Sequence, residues 1–210
     1  MTWVKICGLT NWDDAELVAS SGANALGFIF AASKRQISPQ KAKEIISYLP
    51  RDIEKVGVFM DQDSREVRKI AEYCSLTGLQ FHGNEPPQYC KDFKDFTVIK
   101  AFRVNTERGW QGIATYIKTK SVDRILLDTY VPGVPGGTGK TFPWNLVNSR
   151  KNWEEIPLII AGGLNPENVA IVIREVKPFG IDVGSGVERE PGKKDEQKIK
   201  QFIHEVKRSQ

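Results

Sequence analysis

The chain has 210 residues, enough for one domain over residues 1–210 that buries a core without disulfides or metals. Hydrophobic residues make up 40% and charged residues 27%, as in ordinary soluble globular proteins. The net charge of +4 is spread out, and acids interrupt the densest basic run, KKDEQKIKQFIHEVKR, which we interpret as the solvated face of a last helix. This pattern argues against a nucleic-acid partner and suits a small anionic substrate.

Cysteine usage and hydropathy indicate a reduced, cytoplasmic protein. The three cysteines, Cys7, Cys74 and Cys90, are odd in number and lack CxxC or zinc spacing. The first residues enter a strand at once, so no signal peptide is expected, and no apolar run approaches the roughly 20 residues that cross a bilayer. With His82 and His204 as the two histidines, a histidine-rich metal site is excluded, and no metal or membrane partner is expected.

Short β-branched runs alternate with amphipathic helical windows, which is typical of βα units and a parallel sheet. Strands are predicted at residues 3–7, 25–30, 54–60, 78–83, 97–103, 123–128, 157–163 and 180–186. Asn11 and Ser38 are expected to cap the first two helices, and Gly22 to end the first. Eight such units predict the α/β class and a single (β/α)8 TIM barrel; a doubly wound sheet, which usually has fewer strands, is the alternative.

The glycine-rich stretch GVPGGTGKT, residues 133–141, looks like a nucleotide-binding P-loop but lacks its spacing. Val134 stands where the Walker pattern requires its first glycine. Pro143 would also remove a donor from the early turns of a helix that began near Lys140. The local sequence therefore disfavours a nucleoside triphosphatase, and the glycines need another role.

Functional residues of such barrels lie at the carboxyl ends of the strands. The period of two on the first strand directs Trp3, Lys5 and Cys7 inward or toward the mouth. A lone cysteine is more often a small buried hydrophobe than a catalyst, and position alone makes Cys7 a candidate. Asp128, directly after the apolar run ILL, is expected to face the mouth, either to carry chemistry or to cap the next loop.

An inward-facing lysine in a barrel needs a partner. The eighth strand neighbours the first when the barrel closes, and Asp182 has the matching inward phase there. We therefore expect a Lys5–Asp182 pair, which would leave Lys5 only partly available to favour a Cys7 thiolate.

Glycines follow the seventh and eighth predicted strands in the segments AGGLNPENV and VGSGVE. At this place barrel loops often hold a phosphate through backbone N–H groups, although tight turns would also explain the glycines. The candidate phosphate-binding residues are Gly162, Gly163, Gly184, Ser185 and Gly186.

Seven characteristic segments follow one another across nearly the whole chain: VKICGLT, GANALGFIF with SKRQIS, VGVF, LQFHGNE, LLD with GGTGKTFPW, AGGLNPENV and IDVGSGVE. Together they closely resemble the phosphoribosylanthranilate isomerase family. The resemblance implies a (β/α)8 enzyme of tryptophan biosynthesis that performs an Amadori rearrangement without cofactor or metal. It further implies that Asp128, with a raised pKa, is the general acid on the ribose ring oxygen, and that Cys7 is the general base that removes the C2′ proton.

The same resemblance assigns roles around the substrate. Arg35 matches the arginine that meets the anthranilate carboxylate. His82 with Phe81 would line the mouth, although a strand-end hydrogen bond would explain His82 equally well. The candidate phosphate residues keep that role, and a flexible flap is implied beside Asp128, comprising Gly136, Gly137, Thr138 and Gly139. The chain departs from the family pattern where Lys34, Pro143 and Gly184 replace a more usual proline, polar residue and serine, which puts substrate affinity in question rather than chemistry.

Other functions remain open from the sequence. The isomerase of histidine biosynthesis performs the same rearrangement on ProFAR, but it uses an aspartate as base where this chain has Cys7. A catalytically idle phosphosugar-binding barrel is a second alternative. The oligomeric state is open between monomer and homodimer.

Overall fold

The computed structural model describes residues 1–104, 112–128 and 156–209. Eight parallel strands form a closed barrel in which each strand pairs with the next and β8 pairs with β1. The strands are β1 Trp3–Cys7, β2 Ala25–Ile29, β3 Glu54–Phe59, β4 Gly78–Phe81, β5 Thr97–Arg103, β6 Arg124–Asp128, β7 Leu158–Ala161 and β8 Gly180–Val183. The predicted α/β class and (β/α)8 barrel are confirmed.

Helices lie between the strands and cover the outside of the barrel. Within the described residues they are α1 Trp12–Ser21, α2 Pro39–Ser47, α3 Ser64–Cys74, α4 Pro87–Lys91, α5 Ile113–Lys118, α6 Val169–Val176 and α7 Glu196–Arg208. Asn11 caps α1 by accepting a hydrogen bond from the Asp14 backbone N–H at 2.9 Å, and Ser38 caps α2 in the same way. Gly22 ends α1 in the left-handed conformation, so the predicted caps and stop are confirmed.

Several strands are shorter than predicted, and the difference lies mainly at the mouth of the barrel. The predicted strands 78–83, 157–163 and 180–186 end at Phe81, Ala161 and Val183. Gly162 and Gly163 have φ angles of 88° and 68°, which an extended ladder does not allow. The residues past these strand ends therefore belong to mouth loops, where side chains and backbone groups are available to a ligand.

The core has an inner and an outer layer. The inner layer, inside the barrel, contains Trp3, Ala25, Val56, Ile99, Ala101, Leu126, Ile159 and Ala161. The larger outer layer lies between strands and helices and includes Val4 and Ile6, so the predicted alternation on β1 is confirmed. Phe81 is also in the outer layer and is fully buried against Tyr89 and Phe93, so the expectation that it lines the mouth is wrong. Alternation gives the inward positions of β4 to Gly78 and Gln80 instead.

A small hairpin follows β8 and was not predicted. After a 3-10 turn at Ser185–Val187, strands β9 Glu188–Glu190 and β10 Lys193–Lys194 pair antiparallel. Lys194 lies in the basic run that we interpreted as a solvated face, yet it is 2% exposed, so that interpretation is wrong for this residue. No helix in the described part of the chain combines the length and apolar character needed to cross a membrane.

Candidate active site

Cys7 lies at the carboxyl end of β1, partly exposed, and the missing side chain of a neighbouring glycine makes room for its sulfur. Gly27 on β2 pairs in register with Cys7. A β-carbon on Gly27 would lie 2.8 Å from Cys7 Sγ and 3.1 Å from Lys5 Cε, closer than packed atoms tolerate. Glycine at this point of β2 therefore lets the thiol and the lysine stem share the inside of the barrel.

Lys5 and Asp182 form the expected buried pair. They are in register between β1 and β8, and Lys5 Nζ donates to Asp182 Oδ1 at 2.9 Å. The Lys5 side chain is 0% exposed and that of Asp182 is 9% exposed. Burial acts to lower the pKa of Lys5, but the Asp182 carboxylate and the Cys7 sulfur outweigh it, so the pKa is raised and the ammonium stays charged.

The groups around Cys7 shift the pKa of its thiol in opposite directions. Burial raises the pKa of the Cys7 thiol most strongly, and Asp182 adds to the rise, while Lys5 and Lys194 act to lower it. The net direction is upward, as expected when Asp182 takes up much of the charge of Lys5. The thiol is therefore the resting form, and its thiolate is a strong base once formed.

Asp128 ends β6 and faces the histidine that follows β4. His82 Nε2 lies 3.3 Å from Asp128 Oδ2, and both side chains are 18% exposed. His82 Nε2 is buried, and it makes no hydrogen bond with the described part of the chain. On its other side the imidazole meets Gln80, whose Nε2 lies 3.3 Å from His82 Nδ1. These contacts bring the predicted carboxyl group and the predicted mouth histidine together; the expected raised pKa of Asp128 stays a prediction.

Arg35 reaches across the end of β1 because Gly8 has no side chain. Gly8 has a φ angle of 81°, and a β-carbon there would lie 2.7 Å from Arg35 Cδ. The guanidinium then forms a fork on Glu188, with Nε 2.8 Å from Oε1 and Nη2 2.6 Å from Oε2. This arrangement places the predicted carboxylate-binding arginine beside the predicted base.

Glu188 and Lys194 are site residues that the sequence reasoning missed. Lys194 Nζ donates to Glu188 Oε1 at 3.0 Å, to the Cys7 carbonyl at 2.6 Å and to the Gly184 carbonyl at 3.1 Å. Burial alone would raise the pKa of Glu188, but its hydrogen bonds with Arg35 and the charge of Lys194 make the net direction downward. One hint was available in the sequence, since Glu188 comes four residues after the predicted phosphate-binding Gly184.

The loops after β7 and β8 touch each other through a glycine. A β-carbon on Gly186 would lie 1.8 Å from the Leu164 carbonyl oxygen, so no other residue fits without separating the loops. Gly163 is exposed, and a β-carbon there would have nothing within 4 Å, so open space adjoins its backbone. The Ser185 side chain is also exposed at the start of the 3-10 turn. The two loops that carry the predicted phosphate-binding residues therefore lie in contact at the mouth.

Of the remaining predicted positions, two are buried cysteines and the others lie outside the described residues. Cys74 and Cys90 are free and buried, and burial raises their pKa to about 11 and about 12, so the structural interpretation of both is confirmed. The predicted flap, Gly136, Gly137, Thr138 and Gly139, and the whole stretch 133–141 lie outside the described residues. In the described ranges, no group of three or more His, Cys, Asp or Glu side chains is placed to hold a metal ion.

Known proteins resemble the chain over nearly its full length. A family model described as N-(5'phosphoribosyl)anthranilate (PRA) isomerase matches residues 4–205. N-(5'-phosphoribosyl)anthranilate isomerase of Desulforudis audaxviator is 47% identical over 208 residues, with 97% of both chains covered. The crystal structure of phosphoribosyl anthranilate isomerase from Thermotoga maritima superposes with a TM-score of 0.88 at 43% identity, with 99% of both chains covered. A phosphoribosyl anthranilate isomerase in complex with reduced 1-(o-carboxyphenylamino)-1-deoxyribulose 5-phosphate superposes with a TM-score of 0.85 at 40% identity, again with 99% of both chains covered.

Proposed function

Because the chain belongs to the N-(5'-phosphoribosyl)anthranilate isomerase family, we propose that Cys7 and Asp128 are the base and the acid of its reaction. The protein is an isomerase of tryptophan biosynthesis. The reaction proposed for this site is the Amadori rearrangement of N-(5-phosphoribosyl)anthranilate to 1-(2-carboxyphenylamino)-1-deoxyribulose 5-phosphate.

The rearrangement needs one proton donor and one proton acceptor on the same sugar. Asp128 gives its proton to the ring oxygen as the bond from that oxygen to C1′ breaks, which leaves an iminium ion. The Cys7 thiolate then removes the proton from C2′. The electron pair of that C–H bond forms a C1′–C2′ double bond and neutralises the nitrogen. The resulting enolamine tautomerises to the aminoketose.

One observation carries this assignment: a thiol and a carboxyl group lie at the carboxyl ends of β1 and β6 of one closed barrel. These two strands are separated by β7 and β8 on one side and by four strands on the other, so a sugar in the mouth can meet both groups. Lys5 and Lys194 favour the Cys7 thiolate, which offsets part of the cost of forming it in a buried setting.

The rest of the mouth supplies binding groups for the two ends of the substrate. Arg35 offers a guanidinium to the anthranilate carboxylate. The backbone of Gly162, Gly163, Gly184, Ser185 and Gly186 receives the phosphate, close to the ends of β7 and β8 where barrels commonly bind it. His82 lines the sugar site next to Asp128, 3.3 Å from its carboxylate.

The proposal is tested with Cys7→Ser and Asp128→Asn, assayed by the loss of the anthranilate adduct. Each change removes one proton-transfer group with almost no change in shape, so we expect kcat to fall at least roughly 10²-fold while the circular dichroism spectrum is kept. Cys74→Ser and Asp95→Asn are matched controls away from the mouth and should leave kcat unchanged. A wild-type rate in either site variant removes that residue from the mechanism.

A further inference from the structure

The guanidinium of Arg35 is held along one edge. Glu188 accepts hydrogen bonds from Nε at 2.8 and 3.0 Å and from Nη2 at 2.6 Å. Within the described ranges, Nη1 has no hydrogen-bond partner, and the side chain is 25% exposed. A guanidinium bound in this way cannot rotate freely, and it keeps Nη1 for a second acceptor.

Glu188 is in turn fixed from three directions. Its carboxylate also accepts from Lys194 Nζ at 3.0 Å and from the Gly192 backbone N–H at 3.4 Å. Its side chain is 4% exposed and that of Lys194 is 0% exposed. Lys198 Nζ donates to the Glu188 carbonyl at 2.8 Å, which holds the backbone as well. A carboxylate buried with this many donors has one orientation, so it can set the orientation of Arg35.

Lys194 connects this pair to the strands that carry the site. Its ammonium reaches the carbonyl oxygens of Cys7 at the end of β1 and of Gly184 directly after β8. Its backbone N–H donates to Asp14 Oδ2 at 2.9 Å at the start of α1. The hairpin after β8 therefore ties the position of Arg35 to the position of Cys7.

The charges of the cluster also suit one anionic group. Two cations, Arg35 and Lys194, surround one anion, Glu188, and leave a net charge of +1 beside the mouth. Because the Lys194 side chain is buried and that of Arg35 is partly exposed, Arg35 is the cation of this cluster that a ligand can contact.

From this geometry we infer that Glu188 and Lys194 are positioning residues that hold Arg35 for recognition of the carboxylate on the aromatic ring of the substrate. The inference rests on the proposed function, in which Arg35 binds that carboxylate. Glu188 and Lys194 act through Arg35 and do not touch the reacting atoms.

The test compares two ligands in calorimetric titrations. One is reduced 1-(2-carboxyphenylamino)-1-deoxyribulose 5-phosphate, and the other is the same molecule without the ring carboxylate. Carboxylate recognition is measured by the dissociation constant of the ligand without the carboxylate divided by that of the ligand with it. This ratio does not change if part of a variant is unfolded. The decisive variant is E188Q/K194M, because it keeps the cluster at +1, leaves no buried ammonium unpaired and removes the clamp on Arg35.

We expect this ratio to fall about tenfold in E188Q/K194M, as an oriented charge-assisted hydrogen bond is lost. The single variant E188Q should also lose discrimination, even though it raises the net charge of the cluster to +2. An unchanged or increased ratio in either variant would mean that charge alone recognises the carboxylate, and the inference would be wrong.

The variant Arg35→Ala separates this inference from the proposed function, and a second variant serves as a control. If Arg35→Ala keeps the wild-type ratio, Arg35 does not bind the carboxylate and the proposed role of Arg35 fails. If Arg35→Ala loses discrimination while E188Q/K194M retains it, the positioning role alone fails. E190Q/K193M changes the neighbouring pair on the same hairpin, 56% exposed and 2.7 Å apart, and should behave like the wild type.

Discussion

Replacing Asp182 by alanine would leave the Lys5 ammonium charged and without a carboxylate inside the barrel. The pair is 2.9 Å apart, and the Lys5 side chain is 0% exposed, so solvent cannot take the place of the lost partner. Removing one member of a buried pair typically costs about 3–5 kcal/mol. For a chain of this size the loss corresponds to a decrease in Tm of roughly 6–20 °C.

The measurement is equilibrium urea unfolding of the wild type and of Asp182→Ala, followed by circular dichroism. K5M/D182L removes both charges and should lose much less free energy of unfolding, because no unpaired ion remains. Glu196→Ala breaks a shorter ion pair, 2.6 Å, whose two side chains are 63% exposed, and it should change stability little. Comparing these variants separates the effect of burial from the effect of distance.

A stability loss in Asp182→Ala no larger than that in Glu196→Ala would refute this reasoning. It would mean that Lys5 finds another acceptor, or releases its proton, at little cost. A large loss in K5M/D182L would be equally informative, since packing rather than charge would then hold β1 against β8.

Three other predictions follow from the mouth. Gly186→Ala should weaken binding of the phosphorylated product at least about tenfold in a titration, because the added β-carbon would lie 1.8 Å from the Leu164 carbonyl oxygen. Gly184→Ala should weaken binding much less, because the nearest atom to its added β-carbon would be 3.7 Å away. Alkylation of Cys7 by iodoacetamide, followed by peptide mass spectrometry against pH, should have its midpoint above the ordinary thiol pKa of about 8.5, and a lower midpoint would contradict the effect of burial. The pKa of Glu188 is lowered by folding, so its stabilising contribution is present above the ordinary carboxyl pKa of about 4.3 and is lost as the pH falls below it. Urea unfolding between pH 3 and pH 6 should therefore show a smaller acid loss in Glu188→Gln than in the wild type, and parallel curves would argue against this linkage.

Local sequence signals were sufficient for the framework of the barrel. The period of two on β1 and the phase of β8 predict the Lys5–Asp182 pair, because closure of the barrel brings these strands into register. Strand ends were less well predicted, since the apolar run before Gly162 continues a β pattern that the left-handed glycine then stops. Phe81 was placed at the mouth on the family resemblance alone, whereas alternation along β4 turns it outward, where it packs against Tyr89 and Phe93.

The anchor of Arg35 could not be predicted from local patterns. Glu188 is 153 residues away from Arg35 along the chain, and no periodicity links them. Lys193 and Lys194 are identical in type and adjacent, yet one is exposed and the other is buried, because neighbouring residues of a strand point to opposite faces and only the face of Lys194 is covered. Such contacts depend on how distant loops meet at the mouth, which a single sequence does not encode in any short window.

The ammonium of Lys194 on the Cys7 carbonyl joins the seventh residue of the chain to one that is synthesised 187 residues later. A nascent polypeptide therefore cannot complete the surroundings of Cys7 early, however well its first strands fold on the ribosome. Emergence of the hairpin after β8 is the step at which this contact can form. Truncated products released before that step would carry the cysteine but lack the scaffold that orients its surroundings.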